Sequence, residues 1–170
     1  MTVKACIITG YGINADDELK KAFIKAGAEA EKMHISDLIE NPQLFQDLHI
    51  VGFPGGFSFG DHIGSGKVFA HLFKKNLKDA LKQFVKNGKL IIGICNGFQV
   101  LVKMGILPNM EGDWKPETSL IHNNSGVFED SWIKASFNAK SNCVWTKDLP
   151  EMDLPIRHGE GRFITMDDKI

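Results

Sequence analysis

The sequence lacks the features that mark membrane proteins and nucleic-acid-binding proteins. No apolar run approaches the roughly 18 residues that a membrane-spanning helix needs, and residues 1–4 lead into a strand pattern, not a signal peptide. There are 20 Lys and Arg residues against 21 Asp and Glu, so the strong positive field typical of proteins that bind nucleic acids or anionic membranes is absent. We therefore expect a cytoplasmic protein without nucleic-acid or membrane partners, which leaves a small neutral or zwitterionic substrate open.

Cysteine is also scarce. Cys6, Cys95 and Cys143 are odd in number and far apart, which argues against a disulfide framework and against a zinc site. The scattered histidines show no metal-ligand spacing, so we predict no metal site. The chain has no repeats and no low-complexity segment, and its 170 residues suit one soluble domain with one core.

The first half of the chain alternates strand patterns with helix patterns. Apolar runs predict buried strands at residues 3–9, 49–53 and 90–94, with a weaker candidate at residues 32–35. A 3.6-residue period predicts helices over residues 14–26, over residues 66–87 as one long helix, and from residue 96 onward. This order predicts an α/β fold: a three-layer, doubly wound, flavodoxin-like domain with a mainly parallel sheet and a ligand at the strand C-termini.

The second half of the chain has a different rhythm. Residues 126–128, 132–137 and 143–145 alternate like short antiparallel strands, which predicts a small added antiparallel β region. This region is too short to bury its own core, so we interpret residues 1–170 as a single domain. Residues 164–170 end the chain without a closing element, and we expect that a C-terminal segment is lacking.

Residues 93–97 (GICNG) place Cys95 between two glycines where a strand passes into a helix. This is the layout of a nucleophile elbow, in which a strained turn projects the nucleophile over the sheet edge and small neighbours avoid collisions. The adjoining helix N-terminus favours the thiolate form of a cysteine. The alternative is a small buried cysteine at a tight turn, as most free cysteines are. The elbow alone leaves both interpretations open.

A second glycine-rich loop, residues 54–61 (PGGFSFGD), follows the preceding strand and should reach the same sheet edge. Acyl transfer needs two amide donors for the developing oxyanion. The amide of Asn96 can supply one donor, and a glycine amide such as that of Gly56 can supply the other. The alternative is an ordinary glycine turn. Phosphate binding is less well supported, because neither of the usual glycine-rich phosphate motifs occurs in the required context.

Three segments together carry a resemblance to a known family: residues 93–101 (GICNGFQVL), residues 54–61, and residues 155–163 (PIRHGEGRF). Over nearly its whole length the chain resembles the glutaminase components of phosphoribosylformylglycinamidine synthase, which are class I glutamine amidotransferases. The first segment identifies the superfamily, and the other two identify this branch.

The resemblance implies hydrolysis of L-glutamine to glutamate and ammonia through a γ-glutamyl thioester. It assigns the nucleophile to Cys95, the oxyanion hole to the amides of Gly56 and Asn96, and help in binding glutamine to Gln99. Ammonia would pass to a synthetase subunit that converts formylglycinamide ribonucleotide to formylglycinamidine ribonucleotide in purine biosynthesis, with a small accessory subunit also expected. No cofactor is expected in this chain, because ATP and magnesium belong to the synthetase.

The sequence departs from the family pattern at the catalytic base. The family uses a histidine in a His-Pro-Glu motif near the C-terminus, and the 170 residues contain no such motif. His158 and Glu160 have the same spacing, but their stretch has its own place in the family pattern, so we interpret it as site rim or partner interface. In addition, Val127 and Ser131 stand where the family usually carries arginines.

Two other functions stay open. The chain could be a catalytically incomplete amidotransferase that only binds a partner or glutamine. It could instead belong to the related cysteine-elbow hydrolases and chaperones, although Gln99 and the loop at residues 54–61 argue against that group.

Overall fold

The computed structural model describes residues 2–166, which form two compact units. Unit 1 contains the described residues 2–120 and 163–166, and unit 2 contains Ile121–Arg162. The single domain over residues 1–170 stays a prediction, and residues 167–170 of the expected open end lie outside the described residues. No helix within residues 2–166 is both long enough and apolar enough to cross a membrane.

A four-stranded parallel sheet forms the centre of unit 1. Its strands are β1 (Lys4–Thr9), β2 (Glu29–His34), β3 (Ile50–Phe53) and β4 (Leu90–Gly93). They pair in the order β2-β1-β3-β4, and every pair is parallel. All four strands end at the same edge of the sheet, so the loops that follow them share that edge. The predicted doubly wound, mainly parallel fold is confirmed.

Within the described residues, five α-helices connect and flank these strands. They are α1 (Asp16–Lys25), α2 (Ile35–Glu40), α3 (Lys67–Asn76), α4 (Lys78–Lys86) and α5 (Asn96–Met104). Helices α2 to α5 contribute to the main core on one face of the sheet, and α1 packs on the other face. The centre of the core is aromatic: the Phe53 and Phe73 rings are 5.0 Å apart, and the Phe69 and Phe73 rings are 5.4 Å apart.

Three details of the sequence interpretation were wrong. The single helix predicted over residues 66–87 is broken at Leu77, which lies between α3 and α4 and is fully buried. The strand at residues 90–94 was expected to be buried, but β4 is half-buried because it is the edge strand of the described sheet. Helix α1 begins at Asp16, two residues later than predicted, and no side chain caps its N-terminus.

The predicted antiparallel region is present, with different bounds. In unit 2, strands β6 (Glu129–Ala135) and β7 (Met152–His158) pair antiparallel, with Trp132 opposite Pro155. The other two segments predicted as strands, residues 126–128 and 143–145, do not form strands. Strands β5 (Thr118–Ile121) and β8 (Arg162–Thr165), which were not predicted, form a separate two-stranded sheet.

Candidate active site

Cys95 occupies the strained turn that the sequence predicts. It lies between β4 and α5 with φ 53° and ψ −114°, a backbone conformation that residues other than glycine rarely adopt. Its side chain is exposed, not buried, which is contrary to the interpretation of Cys95 as a core cysteine. A non-glycine residue held in such a conformation at a sheet edge is a recognised sign of a functional position.

The two glycines that flank Cys95 are required by close packing. A Cβ atom at Gly97 would overlap the carbonyl oxygen of Phe53, which ends the neighbouring strand. A Cβ atom at Gly93 would lie 2.8 Å from the carbonyl group of Gly97, so the two glycines also approach each other. This proximity lets α5 begin directly against the sheet, and it leaves the cysteine at the top of the turn.

The second glycine-rich loop reaches the same place. The position of a Cβ atom on Gly55 lies 3.5 Å from Cβ of Cys95. Gly56 has φ +153°, and a Cβ atom there would lie 2.6 Å from the carbonyl oxygen of Gly12. The loop is fixed to the first loop of the sheet by a hydrogen bond of 2.8 Å from Phe57 N–H to Gly12 O. The structure thus brings together the two segments that the sequence analysis placed at one edge.

Two backbone amides at this edge are available as donors. Gly56 lies opposite Ile13 in an isolated antiparallel bridge whose hydrogen bonds use the neighbouring residues. Within residues 2–166, neither the Gly56 N–H nor the Asn96 N–H donates a hydrogen bond. Asn96 is the first residue of α5, where an N–H group has no partner within the helix. Free amides beside a nucleophile are what an oxyanion hole requires.

The side chain of Asn96 is buried beneath the turn. Its Oδ1 accepts a hydrogen bond of 3.2 Å from Ser58 N–H, and its Nδ2 donates to the carboxylate of Asp61 at 3.2 Å and 3.3 Å. The same Nδ2 donates to Oε1 of Gln99 at 3.1 Å. Gln99 is buried, and its amide oxygen already has this partner, so direct binding of glutamine by Gln99 stays a prediction.

The sequence analysis missed two residues with hydrogen-bonding roles: Asp61, which accepts from the Asn96 side chain, and Asn123, which contacts the ring of His158. Asp61 ends the glycine-rich loop, and an acidic residue that closes a loop beside an asparagine is the signal that could have pointed to it. Asn123, in unit 2, gave no comparable signal.

His158 lies in a hydrogen-bond network inside unit 2. Its Nδ1 is 2.9 Å from Oδ1 of Asn123, an oxygen that also accepts a hydrogen bond from Gly161 N–H. Because Oδ1 is an acceptor, Nδ1 of His158 carries the proton in this bond. Asn123 Nδ2 in turn donates to the carbonyl oxygen of His158 at 2.8 Å. The ring is therefore oriented by an asparagine, and a base role for His158 with Glu160 stays untested.

The other two cysteines differ from Cys95 and from each other. Burial raises the pKa of the Cys6 thiol to about 12, so Cys6 stays protonated in the core of the sheet. Cys143 is exposed, and hydrogen bonds from Trp145 N–H and from Thr146 lower its pKa. Cys143 is therefore a second exposed thiol, which any labelling of Cys95 has to take into account.

Comparison with known proteins identifies the family to which the chain belongs. The CobB/CobQ-like glutamine amidotransferase domain matches residues 2–170, and the chain belongs to this family. It is 45% identical over 164 residues to the phosphoribosylformylglycinamidine synthase subunit PurQ of Methanococcus maripaludis, covering 96% of this chain and 61% of that protein. It is 43% identical to the subunit PurQ of Dehalococcoides mccartyi, covering 95% and 63%. The predicted resemblance is confirmed.

A solved structure, PurLQS from Thermotoga maritima, has the same fold. It superposes with a TM-score of 0.75 at 30% identity, covering 99% of this chain and 72% of the matched chain. The chain spans about three-fifths of the length of the curated relatives named above.

Proposed function

We propose that this chain carries the nucleophile and the oxyanion donors of a glutaminase that hydrolyses L-glutamine to glutamate and ammonia. The observation that carries the proposal is the meeting of exposed Cys95, in its strained turn, with the loop of Gly55 and Gly56. The free N–H groups of Gly56 and Asn96 belong to the same two loops.

The chemistry follows from the roles of these groups. The Cys95 thiolate attacks the side-chain carbonyl carbon of glutamine, and a carbon–sulfur bond forms while the carbonyl oxygen becomes an oxyanion. The amides of Gly56 and Asn96 donate hydrogen bonds to that oxyanion. Because both donors are held in a fixed position, they stabilise the negative charge that develops in the transition state. The carbon–nitrogen bond then breaks, and nitrogen takes up a proton and leaves as ammonia. Water hydrolyses the γ-glutamyl thioester to glutamate and regenerates the thiol.

The source of the proton transfers is part of the proposal. A base must accept the thiol proton, and an acid must protonate the departing nitrogen. The resemblance implies that this base is the histidine of a His-Pro-Glu motif. The alternative is a base role for His158 with Glu160, which have the same His-x-Glu spacing.

We also propose that the ammonia serves a synthetase partner. The relatives are named as subunits of phosphoribosylformylglycinamidine synthase, and the Thermotoga maritima structure is one of PurLQS. The ammonia would convert formylglycinamide ribonucleotide to formylglycinamidine ribonucleotide on the synthetase, which would hold ATP and magnesium. A small accessory subunit and a cytoplasmic location belong to the same proposal. Within residues 2–166, no group of three His, Cys, Asp or Glu residues is arranged to hold a metal ion.

The test is covalent labelling of Cys95 by the chloromethyl ketone analogue of L-glutamine. The thiolate displaces chloride and forms a thioether, so each event adds one defined mass to the protein. The reaction is run in a Cys143→Ser background, which removes the other exposed thiol. We expect a single adduct that excess L-glutamine suppresses, because the probe and the substrate occupy the same site.

The matched control is Cys95→Ser in the same background, which should give no adduct. Iodoacetamide, which has no glutamine group, should also label Cys95 and not Cys95→Ser, and bound glutamine should protect the thiol from it. Labelling by the chloromethyl ketone that is indifferent to glutamine, or that persists in Cys95→Ser, would contradict a glutamine site at Cys95. Competed labelling without glutamine turnover would favour the chain that only binds glutamine.

A further inference from the structure

Asp61 connects three segments of unit 1 at the candidate site. Its Oδ1 accepts a hydrogen bond of 3.0 Å from Gly66 N–H, which precedes α3. The same carboxylate accepts from Nδ2 of Asn96, the first residue of α5. Asp61 itself ends the loop that contains Gly56. One carboxylate thus connects the glycine-rich loop, the start of α3 and the start of α5.

The hydrogen bonds of Asn96 make this connection specific. Both hydrogens of Nδ2 have acceptors, in Asp61 and Gln99, and Oδ1 accepts from Ser58 N–H. Only a side chain with two donors and an acceptor satisfies all three partners. An aspartate at position 96 would place two carboxylates within hydrogen-bond distance, and a leucine would leave the buried Ser58 N–H without a partner.

The loop needs to be held because its turn is strained. Phe59, Gly60 and Asp61 have φ values of 54°, 70° and 53°, so three successive residues have positive φ and two of them carry side chains. Such conformations persist only when surrounding contacts enforce them. The described contacts of the turn include Phe59 N–H to Tyr11 O at 2.9 Å and the Ser58 bond to Asn96. The Asp61 carboxylate is the charged anchor at the end of this turn, and bonds to a charged acceptor are the stronger kind.

We propose that Asp61 is a positioning residue for the oxyanion hole. By holding the Asn96 side chain and the Gly66 amide, its carboxylate fixes the turn at residues 58–61 and thereby the direction of the Gly56 N–H beside Cys95. This inference rests on the proposed glutaminase function for its effect on reaction, whereas the holding of the loop is independent of that function. Asp61 itself touches neither nucleophile nor substrate in this role.

The first test compares two labels at Cys95 in the Cys143→Ser background. We expect Asp61→Ala to slow labelling by the chloromethyl ketone of L-glutamine by about tenfold or more, because its carbonyl oxygen needs the oxyanion donors. Iodoacetamide does not use those donors, and its rate should stay within about twofold of the parent. Asp61→Asn keeps an oxygen acceptor and should recover most of the rate lost in Asp61→Ala. A residue that only stabilised the fold would not change the ratio of the two rates.

The second test measures amide hydrogen exchange over residues 55–61. Asp61→Ala should raise exchange at Phe57, Ser58 and Phe59, whose amides are bonded in the held loop. The control is Asp79→Ala, which removes an exposed carboxylate from the first turn of α4. Asp79→Ala should change neither the exchange of the loop nor the ratio of labelling rates.

The outcomes separate this proposal from the proposed function. Unchanged exchange in Asp61→Ala overturns the positioning role, whatever the labelling shows. Increased exchange with an unchanged ratio of rates shows that Asp61 holds the loop but overturns its effect on the oxyanion hole. If the parent protein is not labelled in competition with glutamine, the proposed function fails, and the exchange measurement alone decides whether Asp61 holds the loop.

A further test exchanges the carboxylate of Asp61 and the side-chain amide of Asn96, two groups of nearly equal size and shape. Asn96→Asp should disrupt the loop through repulsion between the carboxylates at positions 61 and 96. The double variant Asp61→Asn with Asn96→Asp restores one donor–acceptor pair between these positions, and the amide oxygen at position 61 can still accept from the Gly66 N–H. We expect the double variant to exchange more slowly over residues 55–61 than Asn96→Asp alone. Equal exchange would overturn the direct connection between the two side chains.

Discussion

At the scale of single residues, the three cysteines show how position decides the chemistry of the same side chain. Cys6 lies in the central strand β1, where burial raises its pKa to about 12 and keeps the thiol protonated. Cys143 lies in a turn whose amide and hydroxyl donors lower its pKa. Cys95 is exposed at the start of a helix beside two free amides. Only Cys95 combines exposure with donors placed for a second reactant, which is why we assign the nucleophile to it.

The glycines of the elbow allow a prediction at the same scale. Gly97→Ala would drive its methyl group into the Phe53 carbonyl, so either α5 or β3 has to shift. We expect the free energy of unfolding to fall by about 1–3 kcal/mol, as for overpacked cores, and labelling of Cys95 by the chloromethyl ketone to slow. Urea denaturation followed by circular dichroism measures the first effect.

Gly159→Ala is the matched control for this change. A Cβ atom at Gly159 would meet only a Phe128 ring carbon at 3.9 Å, which is ordinary contact. Its free energy of unfolding should stay within about 0.5 kcal/mol of the parent. Equal loss of stability in both variants would contradict the close approach of α5 to β3.

At the scale of elements, the break between α3 and α4 was not visible in the pattern of apolar residues. The 3.6-residue period continues through Leu77, because that side chain points into the core on the same face as its neighbours. The backbone nevertheless leaves the helical region at Leu77, with φ −126° and ψ 4°. No proline or glycine marks the position, so nothing in the local sequence indicates that the chain changes direction there.

A prediction about this junction follows from the burial of Leu77. Leu77→Ala removes a fully buried side chain where two helices meet, and we expect a loss of about 2–5 kcal/mol in the free energy of unfolding. Val85→Ala in α4 is the control, because Val85 is 41% exposed, and it should cost less than about 1 kcal/mol. Chemical denaturation of both variants checks the difference. Similar costs would mean that the junction is not part of the core.

At the scale of the whole molecule, the parts that the sequence predicted well are those with strong local signals. Buried β-branched runs followed by glycine-rich loops identified the inner strands β1 and β3 and the edge strand β4. The elbow at Cys95 was predicted from the two glycines that flank the cysteine and from the strand that precedes it. The free amides of Gly56 and Asn96 were also anticipated. The Asp61–Asn96 connection was not, because it joins residues 35 positions apart, and such contacts depend on how the loops meet. The short strands β5 and β8 lack a clear alternating pattern and were missed for that reason.

The two units differ in the origin of their stability, and this leads to the last prediction. Among the described residues, every buried apolar side chain belongs to unit 1, whereas unit 2 exposes Trp132, Val127 and Val144. A two-stranded ladder without a core of its own is marginally stable, even with ion pairs such as Arg157–Asp130 across it. Amide hydrogen exchange should therefore be slower in β1 and β3 than in β6 and β7, by about two orders of magnitude or more. Equal protection would show that β6 and β7 open only when the whole chain unfolds. That result would contradict the claim that unit 2 lacks a stabilising core of its own.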